Sequence, residues 1–393
     1  MKFLTRTIWF LSLVSLFTDM ASEMLYPVMP VYLKSIGYSV VVIGILEGVA
    51  EAVAGLSKGY FGKLSDAMGK RVPFVQWGYF LSAVSKPLMG FFTQIGVIFF
   101  SRTLDRLGKG IRTGARDALL SEEADPENKG KVFGFHRALD TLGAVLGPAS
   151  ALLYLYYNPN DYSTLFLIAF IPGLAAVLTS FALKENAKPV KNFSSPGFLS
   201  FIGYWKNSSS SYRSLVSALL VFALINSSDV FLLLMLKERG ASDFEMIGIY
   251  IFYNLVYALF SYPLGAVADK IGLKKMLVFG LMIFSSVYTG MAFTTNSWMF
   301  LVLFAGYGIY AAATEGISKA LITSVCDADE KATAIGTYTA FQSICALFAS
   351  ALAGWIWYSF GPTTVFIYPA LISLVVALWM YFSNITPSKK SNN

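Results

Sequence analysis

The chain lacks most of what a soluble protein of its size carries on its surface. Of 393 residues only 13% are charged, against about 25% in an ordinary soluble domain, too few to cover a water-facing surface. Histidine occurs once, as His136, and cysteine twice, as Cys326 and Cys345. Two thiols cannot build a disulfide framework, and without clustered Cys and His there is no zinc pattern. Nothing reads as a phosphate-binding glycine loop or as a nucleophile elbow. Neither an enzyme activity nor a metal or organic cofactor is therefore expected.

What the chain has instead is apolar length: 56% hydrophobic residues, 16% aromatic, and a mean hydropathy of +0.60. A membrane helix takes about 20 apolar residues, so the length suits about a dozen spans. Apolar segments recur near residues 8–32, 40–62, 72–92, 95–118, 130–155 and 163–183, and again near 214–236, 243–266, 275–295, 297–320, 331–357 and 361–383. The first continues past Leu16 with no small-residue cleavage pattern, so it reads as a span and not as a signal peptide. The expected fold is an all-α membrane protein of about twelve transmembrane helices in two six-helix, pseudo-symmetric bundles. The bundles would occupy residues 1–183 and 213–383, joined by a polar cytoplasmic linker at 184–212 and followed by a cytoplasmic tail at 384–393. Within the linker, the segment from Gly197 to Trp205 is amphipathic and suits the inner membrane surface. The net charge of +7 gathers in alternate loops (Lys2, Arg6, Lys63, Lys70, Arg71, Lys129, Lys131, Lys270, Lys274, Lys275, Lys331). That is the positive-inside pattern, which places both termini in the cytoplasm and needs no nucleic-acid partner.

One span breaks the apolar rule. Arg102, Asp105, Lys109, Arg112 and Arg116 are spaced three, four, three and four apart and form one stripe on a helix. Such a stripe cannot face lipid at tolerable cost; it must line a polar interior or pair with other buried charges. The two halves also repeat. Gly62-x3-Asp66-x2-Gly69, followed by Lys70 and Arg71, recurs 203 positions later as Gly265-x3-Asp269-x2-Gly272, followed by Lys274 and Lys275. Leu33-Lys34-x2-Gly37 recurs at the same offset as Leu236-Lys237-x2-Gly240. Parallel repeats of this kind are expected of a two-bundle secondary transporter.

The loop Gly62–Arg71 resembles the inner-loop signature of the major facilitator superfamily, and the resemblance extends over essentially the whole chain. It implies that Gly62, Asp66, Gly69, Lys70 and Arg71, with Asp269 in the second copy, are gating residues. Arg106 with Gly110 resembles the family's fourth-helix signature, with Lys109 where glutamine is usual. Gly143-x3-Gly147-Pro148 resembles the antiporter signature, incompletely, because Ala151 and Leu152 stand where a glycine pair is usual; generic small-residue helix packing explains it equally.

Depth sorts the remaining polar residues. Asp19, Glu23, Glu47, Glu51 and Asp140 are the candidates for proton coupling. Arg102, Arg106, Asn226, Asp229, Asn254 and Tyr257 are the candidates for substrate binding, and Arg112 and Arg116 fall nearer the inner gate. A mutually neutralising ion-pair network would use the same residues, but buried pairs rarely add net stability over apolar packing. The expected function is proton-coupled, alternating-access transport of a small polar solute, with an organic anion such as a carboxylate metabolite or siderophore-like molecule favoured by the basic stripe. A proton/drug antiporter is the alternative, and a transport-dead receptor or scaffold the alternative of another class. The protein is expected to act as a monomer in a bacterial inner membrane, with a small-molecule substrate and the lipid bilayer as its partners and the proton gradient as its energy source.

Overall fold

A computed structural model describes residues 4–38, 40–185 and 196–385; linker residues 186–195 and tail residues 386–393 lie outside them. Among the described residues the chain is all-α, with fifteen helices: α1 (Arg6–Glu23), α2 (Met29–Ser35), α3 (Val40–Met68), α4 (Val72–Phe91), α5 (Ile95–Glu123), α6 (Lys129–Tyr157), α7 (Tyr162–Ser180), α8 (Tyr204–Asn207), α9 (Ser210–Ala223), α10 (Val230–Glu238), α11 (Asp243–Ile271), α12 (Leu273–Phe293), α13 (Ser297–Val325), α14 (Lys331–Phe360) and α15 (Pro362–Phe382). Seven of them are long and apolar enough to cross a membrane by length and composition alone. Lipid-type surfaces are evident in Leu153, Ile171 and Leu178, and again in Leu259, Val302, Leu347 and Leu371, all well exposed. A soluble fold would bury such a series.

Two expected spans are each broken into two pieces. The segment near 8–32 becomes α1 and α2, and the segment near 214–236 becomes α9 and α10. The first break contains Pro27 just ahead of α2 and the second contains the polar run Asn226-Ser-Ser-Asp229. Proline removes a backbone donor, and Ser, Asn and Asp offer the backbone local alternatives to helix bonding. Apolar composition alone registers neither effect.

The chain forms two compact units. Unit 1 comprises residues 1–123, 139–204 and 329–340; unit 2 comprises 124–138, 205–328 and 341–393. The helices α6 and α14 each contribute their first ten residues to one unit and the remainder to the other. In unit 1, α5 packs along α3 and α4, and α7 along α1 and α4. In unit 2, α12 packs along α13 and α15, and α11 along α13. The opening turn of α11 carries a capping box: Ser242 Oγ accepts from Glu245 N, and Glu245 Oε2 accepts from Ser242 N. The Ser242 N–H and hydroxyl, both donating to Glu245 Oε2, hold this carboxyl below its ordinary range, since donors to a carboxylate favour its charged form.

The amphipathic linker piece is anchored to the protein through one of its aromatic residues. Phe201, in a short 3-10 turn from Ser200 to Gly203, is buried against Gly59, and its carbonyl accepts from Thr337 Oγ1. Lys63 Nζ donates to Ser200 O at 2.9 Å. Phe201 and Tyr204 of this segment are buried, while Phe198, Leu199 and Ile202 remain exposed.

Candidate functional site

The charged stripe of α5 is turned inward while Ile95 and Phe100 of the same helix are exposed. Arg102, Asp105, Arg112 and Arg116 are all buried; Lys109, expected on the same stripe, is exposed. The burial is possible because α4 and α5 touch backbone to backbone. A Cβ at Gly78 would lie 2.6 Å from Gly108 O, and one at Gly108 would lie 2.5 Å from Gly78 O. This approach brings Ser82 and Lys86 of α4 against the stripe. Lys86, 2% exposed, donates to Asp105 Oδ1 at 3.1 Å and to Ser82 O at 2.8 Å. Arg112 donates to Ser82 Oγ at 2.8 Å and stacks on the Tyr79 ring at 4.7 Å, a cation–π contact.

Each remaining arginine of α5 meets a carboxylate. Arg102 Nη1 lies 3.9 Å from Asp105 Oδ2, and Arg106 Nη2 lies 3.2 Å from Glu51 Oε1. Arg116 donates to Asp117 Oδ1 at 2.9 Å and to Ser15 Oγ at 3.2 Å, and approaches Asp140 Oδ1 at 3.9 Å. Asp19 and Glu23 occupy the last two turns of α1, both half-buried. Gly143 and Gly147 of α6 pack on the α1 backbone beside them: a Cβ at Gly147 would lie 2.5 Å from Met20 O, and one at Gly143 would collide with Leu16 O. The partial antiporter signature therefore sets the distance between α6 and the helix that carries Asp19 and Glu23. Gly143→Val is expected to force these helices apart, lowering the unfolding midpoint and transport together; an unchanged midpoint in a thermal melt of the purified variant would show that the contact is slack. The Glu47 side chain lies outside the described residues.

At the other end of α3, Asp66 caps the N-terminus of α14. Its carboxylate accepts from Thr333 N and Thr333 Oγ1, each at 2.6 Å, from Ala332 N at 3.4 Å and from Arg71 Nη1 at 2.6 Å. Gly62, one turn earlier, lies against the Ala332 carbonyl with no room for a side chain, and Gly69 turns the chain with φ +61°. Arg71 is further held by Glu122 at 3.0 Å, and the Arg71 and Val72 N–H groups donate to Glu185. Lys70 is exposed. The second copy is simpler: Asp269 accepts from Gly130 N at 2.7 Å and Lys131 N at 2.9 Å, capping α6, while Lys274 donates to Ser383 O.

Unit 2 holds the other polar candidates around the α9–α10 break. Asp229 stands at the N-cap of α10 without capping it. Its Oδ1 accepts from Tyr307 Oη at 2.7 Å and its Oδ2 from Tyr253 Oη at 3.3 Å. Asn226 Nδ2 donates to Tyr310 Oη at 3.2 Å. Tyr257 stacks beside Tyr253 at 6.4 Å between centroids, and Asn254 is buried with its amide on Tyr250 O. His136 is buried, and Arg137 lies 3.7 Å from Glu315 Oε2.

The sequence reading missed Lys86, Glu122, Glu185, Thr333 and the tyrosines Tyr307 and Tyr310 as site residues. A lysine inside the apolar run 72–92 was a legible signal. The partners of Asp66 and the tyrosines around Asp229 come from distant segments and left none. No group of three or more His, Cys, Asp or Glu positioned for a metal occurs among the described residues.

Buried charge on long helices, apolar outer faces and two sequence-related halves define an integral polytopic membrane protein with the build of a carrier. The model of the Major Facilitator Superfamily matches residues 11–252 and 214–393, and the chain belongs to that superfamily. It is 33% identical over 386 residues to an uncharacterized MFS-type transporter of Methanocaldococcus jannaschii, covering 96% of this chain and 95% of that one. It is 25% identical over 296 residues to a multidrug resistance protein of Salmonella arizonae, covering 73% and 72% of the two chains. Among solved structures, a human organic anion transporter superimposes with a TM-score of 0.81 at 15% identity, covering 95% of this chain and 99% of that one. At that identity the likeness is one of fold.

Proposed function

We propose that this superfamily transporter is a secondary active carrier that moves a small organic solute by alternating access, driven by the proton gradient and with no bound cofactor. The observation that carries the proton coupling is Asp19. Among the described residues Glu51, Asp66, Asp105, Asp117 and Asp140 each have a basic side chain within 4.0 Å, whereas no ion pair involves Asp19. Its proton can leave and return without breaking a salt bridge. A charged group inside a membrane costs roughly 2.5–3.5 kcal/mol even on the lower scales, so a half-buried carboxylate outside the pairing network needs a working role.

The arginines weigh on the choice of solute. Glu51 and Asp105 face Arg106 and Arg102, so an anion would have to compete with the protein's own carboxylates. Exchange of protons for an amphiphilic drug-like solute is the reading favoured by that pairing and by the similarity to a multidrug resistance protein. The positive loops argue for both termini cytoplasmic, and the protein is proposed to act as a monomer in a bacterial inner membrane.

Vesicles containing the purified protein, loaded with an acidic interior and challenged with a panel of solutes, test the coupling directly. The wild type is expected to dissipate the pH gradient when its solute is added. Asp19→Asn is expected to abolish uphill accumulation while solute exchange survives, and Glu23→Gln to do so less completely. Accumulation against a gradient by Asp19→Asn would remove Asp19 as the carrier. A receptor or scaffold would leave the gradient untouched with every solute.

A further inference from the structure

We propose that Asp229, with the tyrosines around it in unit 2, is the seat of a cationic, N–H-bearing aromatic solute. The inference deepens the transporter reading above and rests on it for its purpose, but it stands on its own geometry.

The site is rich in acceptors and poor in positive charge. Asp229 is half-buried at the break between α9 and α10. Its carboxylate receives two hydroxyl donors, Tyr307 and Tyr253, and pairs with no basic side chain among the described residues. An ionised carboxylate has about four lone-pair sites, so half of its accepting capacity is unused. Its position at the head of α10 could have supplied backbone donors, yet it makes no capping bond. The Asn226 side-chain oxygen, three residues earlier, is buried with no donor among the described residues, because its amide nitrogen is turned to Tyr310. Two acceptors with spare capacity, one of them charged, call for a donor that is itself positive; an anion would be repelled by the first and refused by the second.

The walls fit the same occupant. Tyr253 and Tyr307 lie 5.2 Å apart, as do Tyr307 and Tyr310, and Phe284 continues the series 5.0 Å from Tyr310. Aromatic faces carry the negative end of the ring quadrupole and favour a cation within about 6 Å, most strongly where water is excluded. The packed-core reading accounts for the rings but not for a carboxylate left among them without a cation, which is costly in an apolar medium. The first half has Tyr26 at the position equivalent to Asp229 by the 203-residue repeat, so the carboxylate belongs to one half only.

The test is binding, measured by fluorescence anisotropy of ethidium, a fixed planar cation with exocyclic amines, on the purified protein in uncharged detergent. Fluorescein serves as the anionic control. The wild type is expected to bind ethidium saturably. Asp229→Asn, which keeps the shape, is expected to weaken it at least tenfold, and Tyr307→Phe by about three- to fivefold, both with unchanged melting midpoints. Asp229→Glu is expected to retain most of the affinity. Unchanged ethidium affinity in Asp229→Asn, or saturable binding of fluorescein without ethidium, overturns the assignment, as does a wild type that binds neither. The readout involves no proton movement. Loss of cation binding would leave coupling through Asp19 standing, and failure of the vesicle experiment would leave this site standing.

Discussion

Asp66→Ala is expected to reduce solute counterflow at least tenfold in a protein that remains folded and membrane-inserted, while Asp269→Ala reduces it far less. The two carboxylates are repeats of each other, and the difference lies in what they hold. Asp269 accepts from two backbone N–H groups at the start of α6, and loss of such a cap costs about 1 kcal/mol. Asp66 makes the equivalent cap on α14 and also pairs with buried Arg71 at 2.6 Å. Its removal leaves that guanidinium to Glu122 and the Ser65 hydroxyl, and weakening the compensation of a buried charge is the expensive way to break a pair. The effect belongs to the working cycle if the cap is released and remade during transport, and then Thr333→Val, which removes only the hydroxyl donor, is expected to fall between the two aspartate variants. Counterflow in vesicles, normalised to inserted protein, measures all three. Wild-type rates in Asp66→Ala would remove the gate assignment altogether.

The pair also shows how far the sequence reaches. Gly62-x3-Asp66-x2-Gly69 and its copy at 265–272 were legible because they are local: a turn, a glycine that meets a neighbouring backbone, and a carboxylate free to cap. The all-α duplicated fold was legible for a similar reason, since apolar length and the 203-residue repeat are properties of the chain itself. The charged stripe of α5 was legible as buried because no other place exists for it in a membrane. What it pairs with was not. Lys86 and Asp105 meet because Gly78 and Gly108 let two backbones touch, and no pattern along the chain states which glycines face each other. Lys109 illustrates the converse: it has the right spacing for the stripe yet is exposed, because helical periodicity fixes a direction but not how far a neighbouring helix covers it. The cage at Asp229 is assembled from the break between α9 and α10 and from α11, α12 and α13, so its tyrosines read in sequence as ordinary membrane aromatics. The breaks between α1 and α2 and between α9 and α10 were hidden by composition, since a 20-residue apolar window is indifferent to one proline or four polar residues within it.

The Lys86–Asp105 pair gives the largest expected effect on stability. Lys86→Met replaces the ammonium by an apolar side chain of similar length. Among the described residues the basic side chain then left within 4.0 Å of Asp105 is Arg102, at 3.9 Å, in place of the 3.1 Å contact, with Arg106 and Arg112 acting from farther off. Removing one partner of a buried pair costs roughly 3–5 kcal/mol, because the other charge remains without compensation, whereas replacing both by neutral groups of similar size is often nearly neutral. Lys86→Met is therefore expected to lower the midpoint of thermal unfolding in detergent sharply and to reduce the yield of inserted protein. The double variant Lys86→Met, Asp105→Asn is expected to recover most of that loss, the non-additivity being the signature of direct coupling between contacting residues. Asp105→Asn alone is expected to be intermediate, since Lys86 would keep its bond to Ser82 O at 2.8 Å and Arg102 would still have contacts of its own. Transport by the rescued double variant then separates two roles for one pair. Uphill accumulation at wild-type level would make it a structural pin that balances the arginines of α5, while a stable protein that exchanges solute but no longer concentrates it would add Asp105 to the proton path beside Asp19. A Lys86→Met protein that melts like the wild type would mean that Lys86 is not needed to balance Asp105, the arginines of α5 sufficing, and the pair would lose its role as a structural pin.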